Sequence, residues 1–423
     1  MKKEFPILNY PGSKRNLLEF IDKFITPHLL EEKAFFDIFA GSGAVSYFYK
    51  DRFDIYANDS ELFSSVILNA LLNFQPLEEV DEIIEKIDYY KEENYGNLSY
   101  FHDWLDKEKE ILDAENIEEL EQFYLSFPNV WKKNLVIKRQ EITIEYLKSS
   151  SMYALFTTYY SGNYFGVSQS VEIDCIRYAI EKSIFNPETK SMLLASLFFA
   201  MKEAVFSKDG HMAQPLGLYN NSSRLFKQRK ISIFDKFISK VKDFYSKDFI
   251  IKRGNNKVFN YSFDQLLNKK NHKLFNNVGF IYADPPYTDM QYSRYFHLLN
   301  TVVNYRYQEM TVYRGKLSKG LYTNGRYQSP LSQKSQALNC HKSFFDLCKE
   351  KQIGLGFSFA YPAQPSLQPT NRYVLNIFDL IDYGKHIFGE NFQYYTQTYS
   401  HSNNRNSSTK DVLEYLLVYK PWN

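Results

Sequence analysis

The sequence of 423 residues has little cysteine, little tryptophan and almost no net charge. Its three cysteines, Cys175, Cys340 and Cys348, are odd in number and form no Cys-x-x-Cys pair, so neither a disulfide framework nor a structural zinc site is predicted. His-Glu-x-x-His and catalytic-triad signatures are also missing, and we expect no metal. The longest apolar run, Met192 to Met201, is shorter than the roughly 20 residues of a membrane span, and the N-terminus has no apolar signal core. We therefore expect a reduced, cytoplasmic protein without membrane contact.

The formal net charge of +2 hides an uneven distribution. Residues 78–121 contain 17 acidic and 4 basic residues, so the remainder of the chain is basic. A basic surface is one sign of nucleic-acid binding. The acidic run alone is typical of the solvated face of helices, and we expect it to face away from nucleic acid or toward a partner.

The order of predicted elements indicates an α/β domain that is interrupted by a helical insertion. Helix and strand alternate in residues 1–60, helical periodicity dominates 61–245, and α/β alternation returns in 246–423. This pattern predicts a doubly wound sheet in one domain formed by 1–60 and 246–423, with 61–245 as a mainly helical inserted domain. The predicted strands of the first domain include 34–39, 53–57, 278–283 and 353–359.

A strand, a glycine turn and a helix follow one another around residues 36–43, Phe-Asp-Ile-Phe-Ala-Gly-Ser-Gly. Small residues let a ligand approach the backbone, and the helix N-terminus offers free N–H groups. The next predicted strand ends at Asp59, about 20 residues on, where a nucleotide-binding sheet places a carboxylate for ribose hydroxyls. The glycines lack the Gly-x-Gly-x-x-Gly spacing, which favours a smaller adenosine ligand over a dinucleotide. A glycine turn that only ends a strand is the alternative.

A second motif, Asp284-Pro285-Pro286-Tyr287, follows an apolar strand. Its two prolines stiffen the chain and remove two N–H donors, which leaves carbonyl groups that point outward. An acid, a carbonyl and an aromatic ring are thereby held together at the carboxyl edge of the sheet, where open α/β folds bind ligands. A plain strand-terminating turn is the alternative, and the presence of the glycine motif argues against it.

Taken in order, these motifs resemble those of the D12-class, Dam-like alpha group of DNA adenine-N6 methyltransferases. Residues 9–14, Asn-Tyr-Pro-Gly-Ser-Lys, are similar to the family's aromatic-x-Gly-x-Lys motif, and 39–43 to its S-adenosylmethionine loop. Asn58-Asp59 is similar to its ribose-contacting acid, and 284–287 to its catalytic motif. The resemblance implies an S-adenosylmethionine-dependent methyltransferase sheet with an inserted target-recognition domain. It also implies sequence-specific methylation of the adenine N6 amino group in double-stranded DNA.

The resemblance implies roles for individual residues. Asp284 and the Pro285 carbonyl would accept hydrogen bonds from the adenine amino group and free its lone pair, while Tyr287 would stack on a base extruded from the duplex. Asp37 would lie near the methionyl ammonium. The implied catalytic residues are Asp284, Pro285, Pro286 and Tyr287. The implied cofactor-binding residues are Tyr10, Gly12, Lys14, Asp37, Phe39, Gly41, Gly43, Asp59 and Asp264.

Three of these cofactor assignments have alternatives. Asp264 stands in for an acid that the family places near the cofactor's adenine, although Ser262 occupies the matching position. Tyr10 could equally be a core aromatic residue, and Lys14 an exposed lysine.

A basic segment after the catalytic motif is the expected DNA contact. Residues 306–334 hold six basic residues and one acid without apolar periodicity, which indicates either a mobile loop that orders on DNA or a plain surface loop. Arg294 and His297 would contact phosphate or the extruded nucleotide, or else cap a helix and fill the core. In the insertion, the polar breaks 159–169 and 208–214 are the expected base-reading loops. The predicted DNA-binding residues are Arg294, Arg314, Lys316, Lys319 and Arg326.

Two other functions fit parts of the pattern. The first is methylation of another planar nitrogen, namely cytosine N4, RNA adenine or a protein glutamine amide. Asp284 argues against it, because serine is common there for cytosine and asparagine for glutamine. The second is a DNA-binding protein on a degenerate methylase fold, which the intact Gly41, Gly43 and Tyr287 oppose. We expect the modification component of a restriction-modification or phage-related system, whose cognate restriction endonuclease acts on the same site without stable binding.

Overall fold

The computed structural model describes residues 5–8, 13–131, 136–137, 140–141, 152–208, 211–249, 254–366, 368–399 and 412–421. The predicted cofactor residues Tyr10 and Gly12 lie outside the described residues. The chain forms two compact units. The sheet unit comprises Met1–Asn73, Ile250–Tyr292 and Tyr327–Asn423, and the helical unit comprises Phe74–Phe249 and Ser293–Arg326. The division into 1–60 with 246–423 as a catalytic domain and 61–245 as a target-recognition domain stays a prediction.

The strands described are, in chain order, β1 (Ala34–Asp37), β2 (Ile55–Asn58), β3 (Val136–Ile137), β4 (Gln140–Glu141), β5 (Lys257–Phe259), β6 (Val278–Ala283), β7 (Val312–Tyr313), β8 (Lys316–Leu317), β9 (Gly354–Pro362), β10 (Phe392–Tyr399) and β11 (Val412–Tyr419). The α-helices described are α1 (Leu18–Ile25), α2 (Ala44–Tyr49), α3 (Leu62–Leu72), α4 (Val80–Asn97), α5 (His102–Ala114), α6 (Ile117–Ser126), α7 (Leu155–Tyr160), α8 (Val167–Lys182), α9 (Pro187–Ala204), α10 (Ser222–Arg229), α11 (Ile233–Phe244), α12 (Phe263–Leu267), α13 (His297–Asn304), α14 (Ala337–Lys351) and α15 (Ile377–Phe388).

The sheet unit is built on one sheet with the strand order β10-β11-β9-β6-β1-β2-β5. The strands from β9 to β5 run parallel, β11 is antiparallel to β9, and β10 is antiparallel to β11. The α/β class with a mostly parallel central sheet, predicted from the sequence, is confirmed.

The aromatic residues of the central strands fill both faces of this sheet. Successive side chains of a strand point to opposite faces, and both faces of a parallel sheet are covered. Phe35 therefore packs against Phe280 on one face, with ring centroids 6.2 Å apart, while Phe36 packs with Ile281 in the core of the other face. Part of the 17% aromatic content is thus core.

The topology creates a crevice at the carboxyl ends of β1 and β6. The chain leaves β1 for β2 on one side, whereas β6 pairs with β1 on the other side. In open α/β sheets the loops diverge at such a switch point and leave room for a ligand. The loop after β1 carries residues 38–43, and the loop after β6 carries Asp284 to Tyr287.

The helical unit is held together by buried carboxylates. Asp174 on α8 accepts hydrogen bonds from the backbone N–H groups of Phe156 and Thr157 at 2.9 and 2.7 Å, and from the hydroxyl of Tyr305. Tyr305 belongs to the segment Ser293–Arg326, so this carboxylate ties the segment to the helices of the insertion. Within the described residues, no helix is long and apolar enough to span a membrane.

One prediction about a loop of this unit is wrong. The polar break 159–169, expected to be a base-reading loop, is largely buried, with Tyr160, Tyr164 and Phe165 fully enclosed. The segment is rich in Tyr, Ser and Gly, which suggested an exposed loop. Such residues can be buried when their backbone groups have hydrogen-bond partners. Arg229 satisfies two of these groups by donating to the carbonyls of Asn163 and Tyr164.

The basic segment 306–334 contains a hairpin where the sequence indicated only a loop. β7 and β8 pair antiparallel around a turn at Arg314 and Gly315, whose φ values are 50° and 73°. Positive φ at both turn residues gives the twist that two-residue hairpins favour. Each strand has only two residues, which is too short for a periodic signal in the sequence.

Candidate active site

A cleft that is partly open to solvent lies at the predicted crevice of the sheet unit. The glycine turn and the catalytic motif line it together, from opposite sides of the switch point. Of the residues predicted from the sequence, those lining it are Lys14, Asp37, Phe39, Gly41, Asp59, Asp284, Pro285, Pro286 and Tyr287.

Asp37, the last residue of β1, presents an uncompensated oxygen at this cleft. Its side chain is 1% exposed, and its Oδ2 accepts a hydrogen bond from the Ser46 hydroxyl at 2.7 Å. Its Oδ1 is buried and has no hydrogen-bond partner among the described residues. Burial raises the pKa of Asp37 to about 7; Asp284 and Asp59 add to the increase and the bond from Ser46 opposes it. A buried oxygen of this kind fits a cationic or N–H donor on a ligand.

Asp59, after β2, holds the glycine turn in place. Its Oδ2 accepts from the backbone N–H of Gly41 and its Oδ1 from that of Glu61, both at 2.9 Å. Burial raises its pKa, and these backbone bonds oppose the increase. Each carboxylate oxygen has further lone pairs, so the group can also accept from ligand hydroxyls.

Gly43 shapes the cleft without lining it. Its φ of 78° is left-handed, and an added Cβ would lie 2.8 Å from Cδ1 of Leu71. Only glycine meets both conditions, and the chain can therefore turn directly from the loop into α2.

The catalytic motif is fixed by an ion pair that reaches across the cleft. The Lys14 ammonium lies 3.0 Å from Oδ1 of Asp284 and 3.0 Å from Oε1 of Glu414, with side chains 6%, 19% and 1% exposed. Burial opposes the charge on Lys14, but the two carboxylates outweigh it and hold the Lys14 pKa well above its usual range. Burial raises the pKa of Asp284 to about 6, which Glu414 increases further and Lys14 opposes. The Lys14 ammonium therefore favours the ionised form of Asp284, against the effect of burial.

Tyr287 stands beside this cluster with its ring available to the cleft. It packs near Phe359 and Tyr373, at centroid distances of 6.1 and 6.3 Å. Burial raises its pKa to about 12, so the phenol is neutral near pH 7. The ring is half-buried, as suits a surface on which a planar group stacks.

The structure does not bring Asp264 to the cleft. Asp264 is exposed in the first turn of α12 and accepts a hydrogen bond from Tyr327 at 3.2 Å. Ser262, at the position where the family has an acid, caps that helix by accepting from the N–H of Gln265. Neither residue lines the cleft.

Sequence reasoning missed Ser46 and Glu414. Ser46 lies on α2, three residues beyond the glycine turn, and no pattern in the sequence indicates that its hydroxyl faces inward. The sequence does single out Glu414, because it is a lone acid in an otherwise apolar strand, and such buried charges are normally paired.

The predicted DNA-binding residues lie in the helical unit. Arg294, Arg314, Lys316 and Lys319 are exposed, whereas Arg326 is half-buried. The guanidinium carbons of Arg326 and Arg294 lie 4.3 and 6.0 Å from the ring centroid of Tyr322. Burial lowers the pKa of Arg326, and the nearby charge of Arg294 adds to this, so the two cations repel each other.

His297 belongs to the core of this unit. It is 4% exposed and packs between Tyr164 and Tyr322, with ring centroids 5.7 and 5.0 Å away. Burial lowers its pKa to about 3, so it is neutral. Of the two alternatives that the sequence left open, a core histidine is the observed one.

The chain is similar in sequence to known DNA methyltransferases. The model of the family "D12 class N6 adenine-specific DNA methyltransferase" matches residues 10–154 and 130–324. The modification methylase LlaI of Lactococcus lactis subsp. lactis is 24% identical over 349 residues, 81% of this chain and 44% of that protein. The type II methyltransferase M.FokI of Planomicrobium okeanokoites is 23% identical over 356 residues, 83% of this chain and 44% of its own length.

A third relative has a more similar length. The type II methyltransferase M.NlaIII of Neisseria lactamica is 23% identical over 329 residues, 76% of this chain and 76% of that protein. The chain thus spans less than half the length of LlaI and M.FokI. The family model covers most of the chain, including the glycine turn, Asp59 and the catalytic motif. The chain therefore belongs to the D12 class of N6 adenine-specific DNA methyltransferases.

Proposed function

We propose that this protein transfers a methyl group from S-adenosylmethionine to the N6 amino group of adenine in double-stranded DNA, at a specific sequence. The observation that carries the proposal is the convergence of the glycine turn, Asp37, Asp59 and residues 284–287 on one cleft at the switch point of the sheet. The family membership of the chain supports the same reaction.

The residues of the cleft fit S-adenosylmethionine. The unpaired Oδ1 of Asp37 would accept from the methionyl ammonium, and the carboxylate of Asp59 would accept from the ribose hydroxyls. The glycine turn would let the cofactor lie against the backbone, and Phe39 would pack on it. When bound, the cofactor supplies a methyl group already activated by its sulfonium.

The catalytic motif would activate the adenine amino group. That nitrogen is a poor nucleophile because its lone pair is delocalised into the ring. Ionised Asp284 and the Pro285 carbonyl would accept hydrogen bonds from its two N–H groups, which favours a pyramidal nitrogen with a free lone pair. Lys14 lies 3.0 Å from Oδ1 of Asp284, and in this proposal Oδ2 accepts from the amino group. Pro286 would fix the loop, and Tyr287 would stack on the base, which must be extruded from the duplex to reach the cleft.

The helical unit would bind and read the DNA. The cations that we assign to DNA backbone contacts are Arg294, Arg314, Lys316, Lys319 and Arg326. Tyr322 holds Arg294 and Arg326 close together, and a bridging phosphate would relieve their repulsion. The acidic helices α4 to α6 have mostly exposed carboxylates, which suits a face directed away from DNA.

We also propose a role in a restriction-modification or phage-related system, within the cytoplasm. The relatives LlaI, M.FokI and M.NlaIII are modification or type II methyltransferases by name. A cognate endonuclease would then act on the same DNA sequence without stable binding to this protein.

Expression in a host that lacks DNA methylation, followed by sequencing that detects modified bases, tests the proposal. We expect N6-methyladenine at one short recurring sequence, and none with Asp284→Ala. A folded wild-type protein that leaves the host DNA without N6-methyladenine would contradict the proposed function.

A further inference from the structure

A buried glutamate on β11, which β9 alone separates from β6, pairs with Lys14, the partner of Asp284. Glu414 lies on β11 and its Oε1 is 3.0 Å from the Lys14 ammonium, which itself lies 3.0 Å from Oδ1 of Asp284. Lys14 and Asp284 line the cleft, whereas Glu414 does not. The ion pair of Glu414 with the site is made to Lys14, and its charge also raises the pKa of Asp284.

The strand register explains how the three side chains meet. Glu414 pairs with Ala360 of β9, and β9 pairs with β6, the strand that leads into Asp284. On β9, Ala360 is the partner of Glu414, and Ser358 lies two residues earlier on the same face. Ser358 also accepts a hydrogen bond from Tyr282 at 2.8 Å, which fixes this part of the sheet.

Stability alone does not explain a glutamate at position 414. It is 1% exposed in a strand whose other residues are apolar, from Val412 to Tyr419. Replacement of a buried ion pair by apolar residues of similar volume is often neutral or stabilising. A carboxylate at this position therefore indicates that a charge is needed next to Lys14.

We propose that Glu414 is a positioning residue for methyl transfer, which holds Lys14 between two carboxylates so that Asp284 is oriented but not neutralised. Two carboxylates that share one ammonium keep a net negative charge, and Asp284 then remains a strong hydrogen-bond acceptor for the adenine amino group. Without Glu414, Lys14 would pair with Asp284 alone and weaken it as an acceptor. This inference rests on the proposed function, because it assumes that Asp284 acts on the adenine.

The charge balance around Asp284 makes the inference measurable. The groups that face Asp284 are Lys14, Glu414, Tyr282, Tyr287 and Asp37. After burial, Lys14 and Glu414 have the largest effects on the pKa of Asp284, and they act in opposite directions. The acid limb of the pH profile of kcat should report that pKa.

The test compares Glu414→Gln with Lys14→Gln. For Glu414→Gln we expect kcat to fall about tenfold or more, as is typical when a residue that orients a site residue is replaced. The KM for S-adenosylmethionine should stay within about twofold of the wild-type value. The acid limb of kcat should move to lower pH in Glu414→Gln and to higher pH in Lys14→Gln. Glu390→Gln, the same change at an exposed position of the same unit, is the control and should change nothing. An acid limb unchanged in Glu414→Gln would overturn the inference, even if kcat were lower.

A double variant keeps the inference testable if Glu414→Gln does not fold. Lys14→Gln/Glu414→Gln removes both charges, and no unpaired lysine remains buried. If Glu414 acts chiefly through Lys14, the double variant has a kcat close to that of Lys14→Gln, because the two effects are not additive. A further loss of about tenfold would contradict the inference. Absence of transfer by the wild-type protein would instead contradict the proposed function.

Discussion

The Lys14 ammonium lies 3.0 Å from Oδ1 of Asp284, within a cleft that buries most of both side chains. This pair joins the N-terminal motif to the catalytic motif, although the whole helical insertion separates them in the chain. It keeps a charged carboxylate at the edge of the sheet, with its second oxygen directed to substrate in our proposal. Asp284 is accordingly the residue on which methyl transfer should depend most.

Asp284→Ala should abolish methyl transfer and leave cofactor binding nearly intact. The methyl side chain cannot accept from the adenine amino group, whereas Asp37 and Asp59 remain available to the cofactor. We expect transfer to fall at least about 1000-fold, as for loss of a main electrostatic group, while the Kd for S-adenosylmethionine changes by less than about threefold. Single-turnover transfer and calorimetry measure the two effects.

Asp289→Ala is the matched control, because Asp289 is an exposed acid just after the same motif. It should transfer methyl groups at the wild-type rate. Transfer by Asp284→Ala near that rate would show that our catalytic assignment is wrong.

Cofactor affinity should depend on pH through Asp37. Its pKa in the free protein is raised to about 7, and only the ionised form can pair with the methionyl ammonium. The affinity should therefore be constant above about pH 8 and fall by up to about tenfold per pH unit below about pH 7. Calorimetric titration between about pH 5.5 and 8.5 measures the affinity, because Asp37 titrates within roughly that range.

Asp37→Asn should bind the cofactor more weakly at high pH and lose most of this pH dependence. Asp51→Asn, an exposed position in the same unit, should retain the wild-type profile. The same steep decline in both variants would assign the titration to another group.

The hairpin cations should contribute to DNA affinity independently of sequence. Arg314 and Lys316 are exposed at and beside its turn. If each neutralises one phosphate, Arg314→Ala or Lys316→Ala should reduce the slope of log K against log salt by about one. Fluorescence anisotropy with specific and unrelated duplexes measures this slope.

Lys349→Ala removes an exposed lysine from the sheet unit and should leave the slope unchanged. Unchanged slopes in both hairpin variants would remove this segment from the DNA-binding surface.

Glu108 should be essential for the stability of the helical unit. It is 1% exposed and accepts from the Tyr124 hydroxyl at 2.7 Å and from the N–H groups of Val167 and Ser168 at 2.8 Å, at the start of α8. Glu108→Ala leaves these donors buried and unpaired, which should lower the free energy of unfolding by about 3 kcal/mol. On the same helix, Glu110 is 72% exposed, and Glu110→Ala should change it by less than about 0.5 kcal/mol. Chemical denaturation compares the two variants; equal effects would contradict this account.

The sequence predicted the parts of the site that are contiguous in the chain. A strand followed by small residues, or by Asp-Pro-Pro-Tyr, signals its own local structure, and parallel strands bring such ends to one edge of the sheet. Asp37, Asp59 and Asp284 could therefore be assigned together before any coordinates, and all three line the cleft.

The features of the site and the fold that could not be predicted depend on contacts between segments that are distant in the sequence. The pairing of Glu414 with Lys14 needs the register of β11 against β9, which no local pattern determines. The packing of Ser293–Arg326 in the helical unit depends in part on the bond from Tyr305 to Asp174, a buried contact between separate segments. Asp264 is predicted only as a substitute for an acid that the family has two positions earlier, before the catalytic strand, and the first turn of a short helix leaves it exposed.

The most direct test of the central claim is methyl transfer by the purified protein. The protein is incubated with methyl-labelled S-adenosylmethionine and unmethylated genomic DNA, and the digested nucleosides are separated by mass spectrometry. We expect the label to appear in N6-methyldeoxyadenosine, and we expect Asp284→Ala to leave it in the cofactor. Label in N4-methyldeoxycytidine, or no label in DNA despite measurable cofactor binding, would contradict it.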